Sequence, residues 1–324
     1  MSQLRWGYLS ASNISREMAR DFSLAGLKIQ AVGARDIAKA NAYADEFDIP
    51  NRHGSYEALV NDPEVDIVYV STLQTLHFEH TMLAVNAGKH VLCEKPFTIN
   101  ANQAEQIQQA AKAKGVMVME AMWTRFLPNH VELYKDIESG SIGEVTLVSA
   151  DHSQALRHAA RLWDPASGGG ALLDLGIYPV SFANRILGAP SKIIAQAKLT
   201  DQNLDEITTG LFDYQSGAKA AFTTSMATAG PVTAFVLGTT GRIEIVGSFY
   251  SHVEYRIFDN SGKLLKHYVP NLVGRGMQHQ AIHFEDCIKQ GLLDSPELPI
   301  AESVQIMQVL DEIRRQTGVV YPGE

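Results

Sequence analysis

Only two cysteines, Cys93 and Cys287, occur in 324 residues. So few thiols exclude a secreted disulfide scaffold and fit a reducing cytoplasm. No apolar run approaches the length that crosses a bilayer, which argues against a membrane partner. There is no excess of basic residues either. Lys and Arg number 27 against 36 Asp and Glu, a formal charge of -9. That balance argues against nucleic acid as a partner, yet it leaves room for a local basic pocket that holds a phosphate. Internal repeats, low-complexity tracts and disordered linkers are absent as well. The chain enters a strand-like stretch, Leu4–Ser10, within a few residues. The expectation is therefore no signal peptide and a cytoplasmic location.

What remains is an ordinary globular composition, 45% hydrophobic and 19% charged. At this length two domains are expected, over residues 1–121 and 122–324. Up to Glu120 the pattern alternates apolar strands with helical segments: strands at Leu4–Leu9, Lys28–Ala34, Ile67–Ser71, His90–Cys93 and Val116–Met119, helices between them. Strand–helix–strand alternation implies a parallel sheet with right-handed crossovers, the pattern of a dinucleotide-binding domain. After Glu120 the rhythm changes to closely spaced β-branched stretches between Val145 and Phe258, separated by turns such as Gln215-Ser216-Gly217. These predict an α+β domain with a large, mostly antiparallel open sheet. Helices are expected over Ala171–Leu187 and Glu302–Gln316. An antiparallel sheet needs cover on one face only, so self-association is the expected use of the other.

The segment Ala87-Gly88-Lys89-His90-Val91-Leu92-Cys93-Glu94-Lys95-Pro96 carries the chemistry. Gly88 reads as the stop of a helix, and Val91-Leu92-Cys93 as a strand buried on both faces, with Cys93 an ordinary core residue. Ligands of open parallel sheets bind beyond the carboxyl ends of the strands, where Lys95 stands. Pro96 restricts Lys95 to extended geometry and aims its ammonium.

The first turn, Gly7-Tyr8-Leu9-Ser10-Ala11-Ser12-Asn13-Ile14, sits where a glycine fingerprint would receive a pyrophosphate at a helix N-terminus. Serines replace two of the glycines there, and a generic strand-to-helix turn would read the same way. Ala34-Arg35-Asp36 ends the second strand. Arg35 suits the extra phosphate of NADP, while Asp36 is either a ribose-binding acid or simply a helix N-cap. The loop Ser71-Thr72-Leu73-Gln74, with His77 beyond it, faces the same sheet edge and can line a cofactor path. A plain capped loop is the alternative.

Gly168-Gly169-Gly170 opens the helix that carries Asp174 and Tyr178, four apart and hence on one face. A phenol near a lysine has a stabilised phenolate and serves acid–base work. A structural pair is the alternative. His279 and His283 share a helical face without an evident third ligand, so no metal site is expected. His152, Arg157, His158 and Arg161 are candidates for one polar pocket.

Together, Glu94-Lys95-Pro96, the Ser71-Thr72…His77 loop, Arg125-Phe126-x-Pro128 and Gly168–Tyr178 resemble the Gfo/Idh/MocA family of NAD(P)-dependent oxidoreductases, over essentially the whole chain. Glu120–Phe126 and Leu173–Tyr178 look closer to its branch of dimeric dihydrodiol dehydrogenases and NADP-dependent D-xylose dehydrogenases. The resemblance implies a Rossmann domain followed by an α+β substrate and dimerisation domain, as a homodimer or a dimer of dimers through the C-terminal sheet. It implies a cofactor, NADP with NAD as the alternative, on Gly7, Ser10, Ala11, Ser12, Asn13, Ile14, Arg35, Ser71, Thr72, Leu73, Gln74, His77, Glu94, Lys95, Pro96 and Arg125. It makes Tyr178 the proton-transfer residue, Lys95 its assistant and Asp174 a substrate holder, with Trp123, Arg161 and Trp163 shaping the pocket. A cis Lys95–Pro96 bond is also implied. The expected reaction is hydride transfer between nicotinamide and a hydroxyl-bearing carbon of a sugar, polyol or trans-dihydrodiol. The alternatives are a catalytically silent cofactor-binding sensor, and isomerisation or glycoside cleavage through transient oxidation.

Overall fold

The computed structural model describes residues 4–321. The chain divides into two compact units. The first draws on the chain up to Thr98, on Asn102–Phe126 and on Leu272–Val304. The second draws on Ile99–Ala101, on Leu127–Asn271 and on the chain from Gln305 onward. The first unit is thus assembled from three segments, where the sequence suggested a single cut after residue 121. Nothing local in residues 272–304 signals that they return to the first unit.

The first unit runs β1 (Trp6–Leu9), α1 (Asn13–Ala25), β2 (Ile29–Gly33), α2 (Ile37–Phe47), β3 (Asn51–His53), α3 (Tyr56–Val60), β4 (Ile67–Val70), α4 (His77–Asn86), β5 (His90–Glu94), α5 (Ala101–Lys114) and β6 (Val118–Ala121). Its six strands lie in the order β3-β2-β1-β4-β5-β6 and all pair in parallel. The order reverses between β1 and β4, and such a switch point opens a crevice at the strand ends. β1, β4 and β6 are buried along their whole length, as apolar strands covered on both faces must be. Trp6 and Tyr8 pack edge-on against Phe22 of α1, with ring centroids 5.2 and 5.6 Å apart. Gly26 ends α1 in the left-handed region. β3 escapes the sequence pattern because three polar residues on a sheet edge show no periodicity.

The second unit runs α6 (Pro128–Glu138), β7 (Val145–Ser153), a wide helical turn (Leu172–Gly176) leading into α7 (Ile177–Leu187), β8 (Lys192–Leu199), β9 (Asp205–Asp213), β10 (Lys219–Ser225), β11 (Ala234–Gly238), β12 (Gly241–Ile245), β13 (Tyr255–Asp259) and β14 (Leu264–Tyr268). Its eight strands lie in the order β14-β13-β12-β11-β7-β10-β9-β8, antiparallel except where β7 meets β10. α7 packs against β7 on one face. Burial alternates along β9 as one-sided cover requires: Phe212 lies inside, Leu211 outside. β14 was not expected, because its alternation is weak and both leucines are exposed. Two helices close the chain: α8 (Gln278–Lys289) and α9 (Ile300–Thr317). α8 belongs to the first unit, where its Glu285 accepts a hydrogen bond from the Trp6 indole at 2.8 Å. No helix among the described residues is long and apolar enough to cross a membrane.

Candidate active site

In the first unit, the loop after β1 turns sharply. Ser10 holds φ at 113°, a region that favours glycine, and its N–H donates to Gly33 O at 3.0 Å. Ser12 caps α1 by accepting from Ser15 N–H, and its hydroxyl lies 3.3 Å from that of Ser71 across the switch point. Gly7 is needed for packing rather than for a turn, since a Cβ there would come 2.8 Å from Val65. At the end of β2, Asp36 accepts from Ala38 N–H as the N-cap of α2, the plainer of its two readings, while Arg35 is exposed.

Around Lys95 the backbone is held from several sides. Lys95 N–H faces Glu94 Oε2 at 3.3 Å, and Phe97 N–H donates to Glu120 Oε1 at 3.0 Å. His77 Nδ1 lies 2.8 Å from Pro96 O, and its Nε2 lies 3.2 Å from Thr72 O. Burial pushes the His77 pKa down to about 4, so the ring is neutral with one N–H, which the shorter contact assigns to Pro96 O. The Lys95–Pro96 bond is cis, as the resemblance implied. Glu94 is buried and accepts from the Tyr69 hydroxyl at 2.5 Å; burial raises its pKa. Arg125 is buried and ion-paired with Glu302 at 2.5 Å, and Trp123 packs beneath the guanidinium of Arg275.

In the second unit, Asp174 and Tyr178 do not share a regular α-helix. Leu172–Gly176 is a π-helical turn, with bonds one residue longer than those of an α-helix. Pro179 accounts for the irregularity. It has no N–H to give the carbonyl four residues back, Leu175 O, and its ring crowds that group. His152 supplies the missing donor, its Nδ1 lying 3.0 Å from Leu175 O. Its Nε2 then accepts from Gln154 at 2.9 Å, and Gln154 also reaches the Tyr250 hydroxyl. The His152 ring stacks on Tyr250 at 4.4 Å and stands edge-on to Tyr178 at 5.0 Å. Tyr178 is 8% exposed, so its phenol sits in a wall of rings rather than in bulk water. Asp174 pairs with Arg161 at 3.0 Å, a half-exposed guanidinium against a buried acid.

The turn's start is anchored by Asp205, which accepts from Leu172 N–H at 2.7 Å and from Thr208 at 2.8 Å. Gly170, at φ 113°, leaves room for that carboxyl, which a Cβ would strike. Of the other pocket candidates, Arg157 lies over Trp163, and Trp163 donates to Leu156 O. His158 is exposed, so the structure does not gather the four polar residues into one cluster.

Residues 5–122 match the model of an oxidoreductase family with an NAD-binding Rossmann fold, and residues 130–244 match the GFO/IDH/MocA C-terminal domain. The chain belongs to the Gfo/Idh/MocA family.

Its full-length relatives include trans-1,2-dihydrobenzene-1,2-diol dehydrogenases. That of Macaca fascicularis is 35% identical over 330 residues, and that of Homo sapiens 33%, each match covering 99% of both chains. Among solved structures, the 3-ketoreductase KijD10 of Actinomadura kijaniata, with NADP and TDP-benzene, is 25% identical with a TM-score of 0.85. An aldose-aldose oxidoreductase of Caulobacter crescentus with glycerol is 24% identical with a TM-score of 0.87, a likeness of fold. Each of these two matches covers 98% of both chains. The expected class, a nicotinamide-dependent dehydrogenase, agrees with the names the full-length relatives carry.

A Gfo/Idh/MocA oxidoreductase takes a nicotinamide dinucleotide, and the residues after β1 fit one. The backbone at Ser10 already adopts the glycine-like conformation, the side chains at residues 10–12 are small, and α1 begins directly behind them. Lys95 stands in the first unit of this oxidoreductase and Tyr178 in the second. Sequence reasoning missed Glu120, His152 as a partner of the π turn, and Asp205. The local signal that could have found the π turn is Pro179, a proline inside the stretch expected as one helix.

Proposed function

We propose that the chain is an NADP-preferring dehydrogenase that oxidises a secondary alcohol or hemiacetal of a sugar, polyol or trans-dihydrodiol. The match to trans-1,2-dihydrobenzene-1,2-diol dehydrogenases over 99% of both chains carries this reading. In net form an alcohol and NADP⁺ give a carbonyl, NADPH and a proton. When bound, the nicotinamide supplies the acceptor for the hydride that leaves the substrate carbon.

The chain's own residues do the rest. Ser10, Ala11, Ser12, Asn13 and Ile14 hold the pyrophosphate, with Gly7 keeping the strand beneath them close-packed. Arg35 takes the extra phosphate, and Ser71, Thr72, Leu73 and Gln74 line the nucleotide. Glu94, His77 and Pro96 set the loop of Lys95, and Arg125 fixes the segment beside it. Tyr178 takes the proton of the substrate hydroxyl, and Lys95 orients that hydroxyl and stabilises the phenolate. Asp174, steadied by Arg161, holds a neighbouring hydroxyl, and Trp123 and Trp163 give the pocket its apolar walls. His152 and Tyr250 keep the phenol of Tyr178 between two rings and away from water. The outward row Ile194, Leu211 and Phe235 on the second sheet suits self-association as a homodimer.

The test is Lys95→Ala and Tyr178→Phe, assayed for NADP⁺ reduction with trans-1,2-dihydrobenzene-1,2-diol and D-xylose. Both variants should bind NADPH and unfold at the wild-type temperature while kcat falls roughly 10²–10⁴-fold. Near-normal turnover in either would end the assignment.

A further inference from the structure

The geometry points to Glu120 as a positioning residue that sets the backbone carrying Lys95. The inference rests on the reading of Lys95 as a working residue. Pro96 has no N–H, so the first backbone donor after Lys95 belongs to Phe97. That donor is taken by Glu120 Oε1 at 3.0 Å. Glu120 lies on β6, the strand paired beside β5, opposite Cys93 in the register. Its side chain therefore reaches across from a rigid neighbour to the residue just past the β5 exit.

Its other oxygen, Oε2, accepts from the Ser303 hydroxyl at 2.8 Å, which fixes the carboxyl from behind. Glu120 is 1% exposed, so neither bond competes with water. Glu94, His77 and the Cys93 thiol, which lies 3.7 Å from Phe97 O, also hold this stretch. Glu120 ties it by a side chain to the next strand. A reactive amine displaced by about 1 Å can lose a hundredfold in rate, so this tie governs turnover more than it governs cofactor binding.

The experiment compares Glu120→Gln, Glu120→Ala and Ser303→Ala in the full-length protein. Glutamine can accept from Phe97 N–H with its oxygen and donate to Ser303 Oγ with its amide; alanine can do neither. Glu120→Ala should lower kcat about 10–100-fold while NADPH affinity, measured by fluorescence titration, stays within about threefold. Its Phe97 amide should exchange with solvent at least about tenfold faster. Glu120→Gln should stay within about threefold of wild type in kcat and keep the Phe97 amide protected.

Wild-type kcat in Glu120→Ala would overturn the inference. So would an equal loss in Glu120→Gln with the amide still protected, because the charge and not the tie would then be at work. Should Glu120→Ala fail to fold, Ser303→Ala decides: a loss of about three- to tenfold in kcat at unchanged NADPH affinity supports positioning, and unchanged kcat rejects it. Lys95→Ala separates the two claims. Normal turnover there defeats the function assigned to Lys95, whereas loss there with full activity in Glu120→Ala defeats only the role of Glu120.

Discussion

Asp205 offers a direct check on how the π turn is anchored. The carboxyl is fully buried, and its Oδ2 receives both Leu172 N–H and the Thr208 hydroxyl. Burial pushes its pKa from 3.8 up to about 7, and the hydrogen bonds it accepts offset only part of that rise. The folded chain therefore holds this proton over a range in which the unfolded chain has lost it. The contribution to stability is complete below pH 3.8, declines as pH rises, and is gone above about pH 7. Between pH 5 and pH 8 the decline amounts to about 3 kcal/mol, at about 1.4 kcal/mol per decade of proton affinity.

Asp205→Asn keeps an oxygen for Leu172 and Thr208 but cannot ionise. Urea titrations followed by circular dichroism at pH 5, 6, 7 and 8 should show the variant gaining on wild type steadily, by about 3 kcal/mol in all. Parallel pH profiles for the two proteins would refute the reasoning. They would mean that Asp205 keeps its charge in the fold and that the π turn is held by a carboxylate.

Two further outcomes follow from the cofactor loop. Ser10→Gly releases a non-glycine residue from φ 113°, strain of about 1–3 kcal/mol, against about 1 kcal/mol of added chain entropy. The thermal midpoint should rise by a few degrees, and a fall would show that the serine hydroxyl outweighs the strain. Arg35→Ala removes an exposed guanidinium at the end of β2. The ratio of kcat/KM for NADP⁺ to that for NAD⁺ should drop about 10–100-fold, the worth of a lost charged hydrogen bond. An unchanged ratio would place the extra phosphate, or the lack of one, elsewhere.

The elements legible in the sequence are those whose signal is local. Val91-Leu92-Cys93 announces a buried strand by composition alone, and Gly88 announces a helix end through the left-handed φ it adopts, 76°. Asp36 proved to be a cap, the cheapest use of an aspartate at a helix start. What escaped depends on partners distant in the chain. Glu120 stood just past the expected end of its strand, and its bond to Phe97 exists only once β5 and β6 are in register. Arg125 pairs with Glu302, 177 residues away, a contact that no local pattern announces. The π turn misled for another reason. A four-residue spacing assumes the α-helical ladder, and Pro179 breaks that ladder at Leu175.

The wide turn before α7 also constrains how this protein can change. It accommodates one residue more than a regular helix of the same rise, so a single deletion within 172–176 would be absorbed by reversion to ordinary winding. The segments on either side would keep their places, because the extra residue is taken up within the turn itself. Length variation there, at no cost to the ladder downstream, would exchange the side chain that accompanies the phenol. The acid at 174 could be swapped for an apolar neighbour without touching Tyr178 itself.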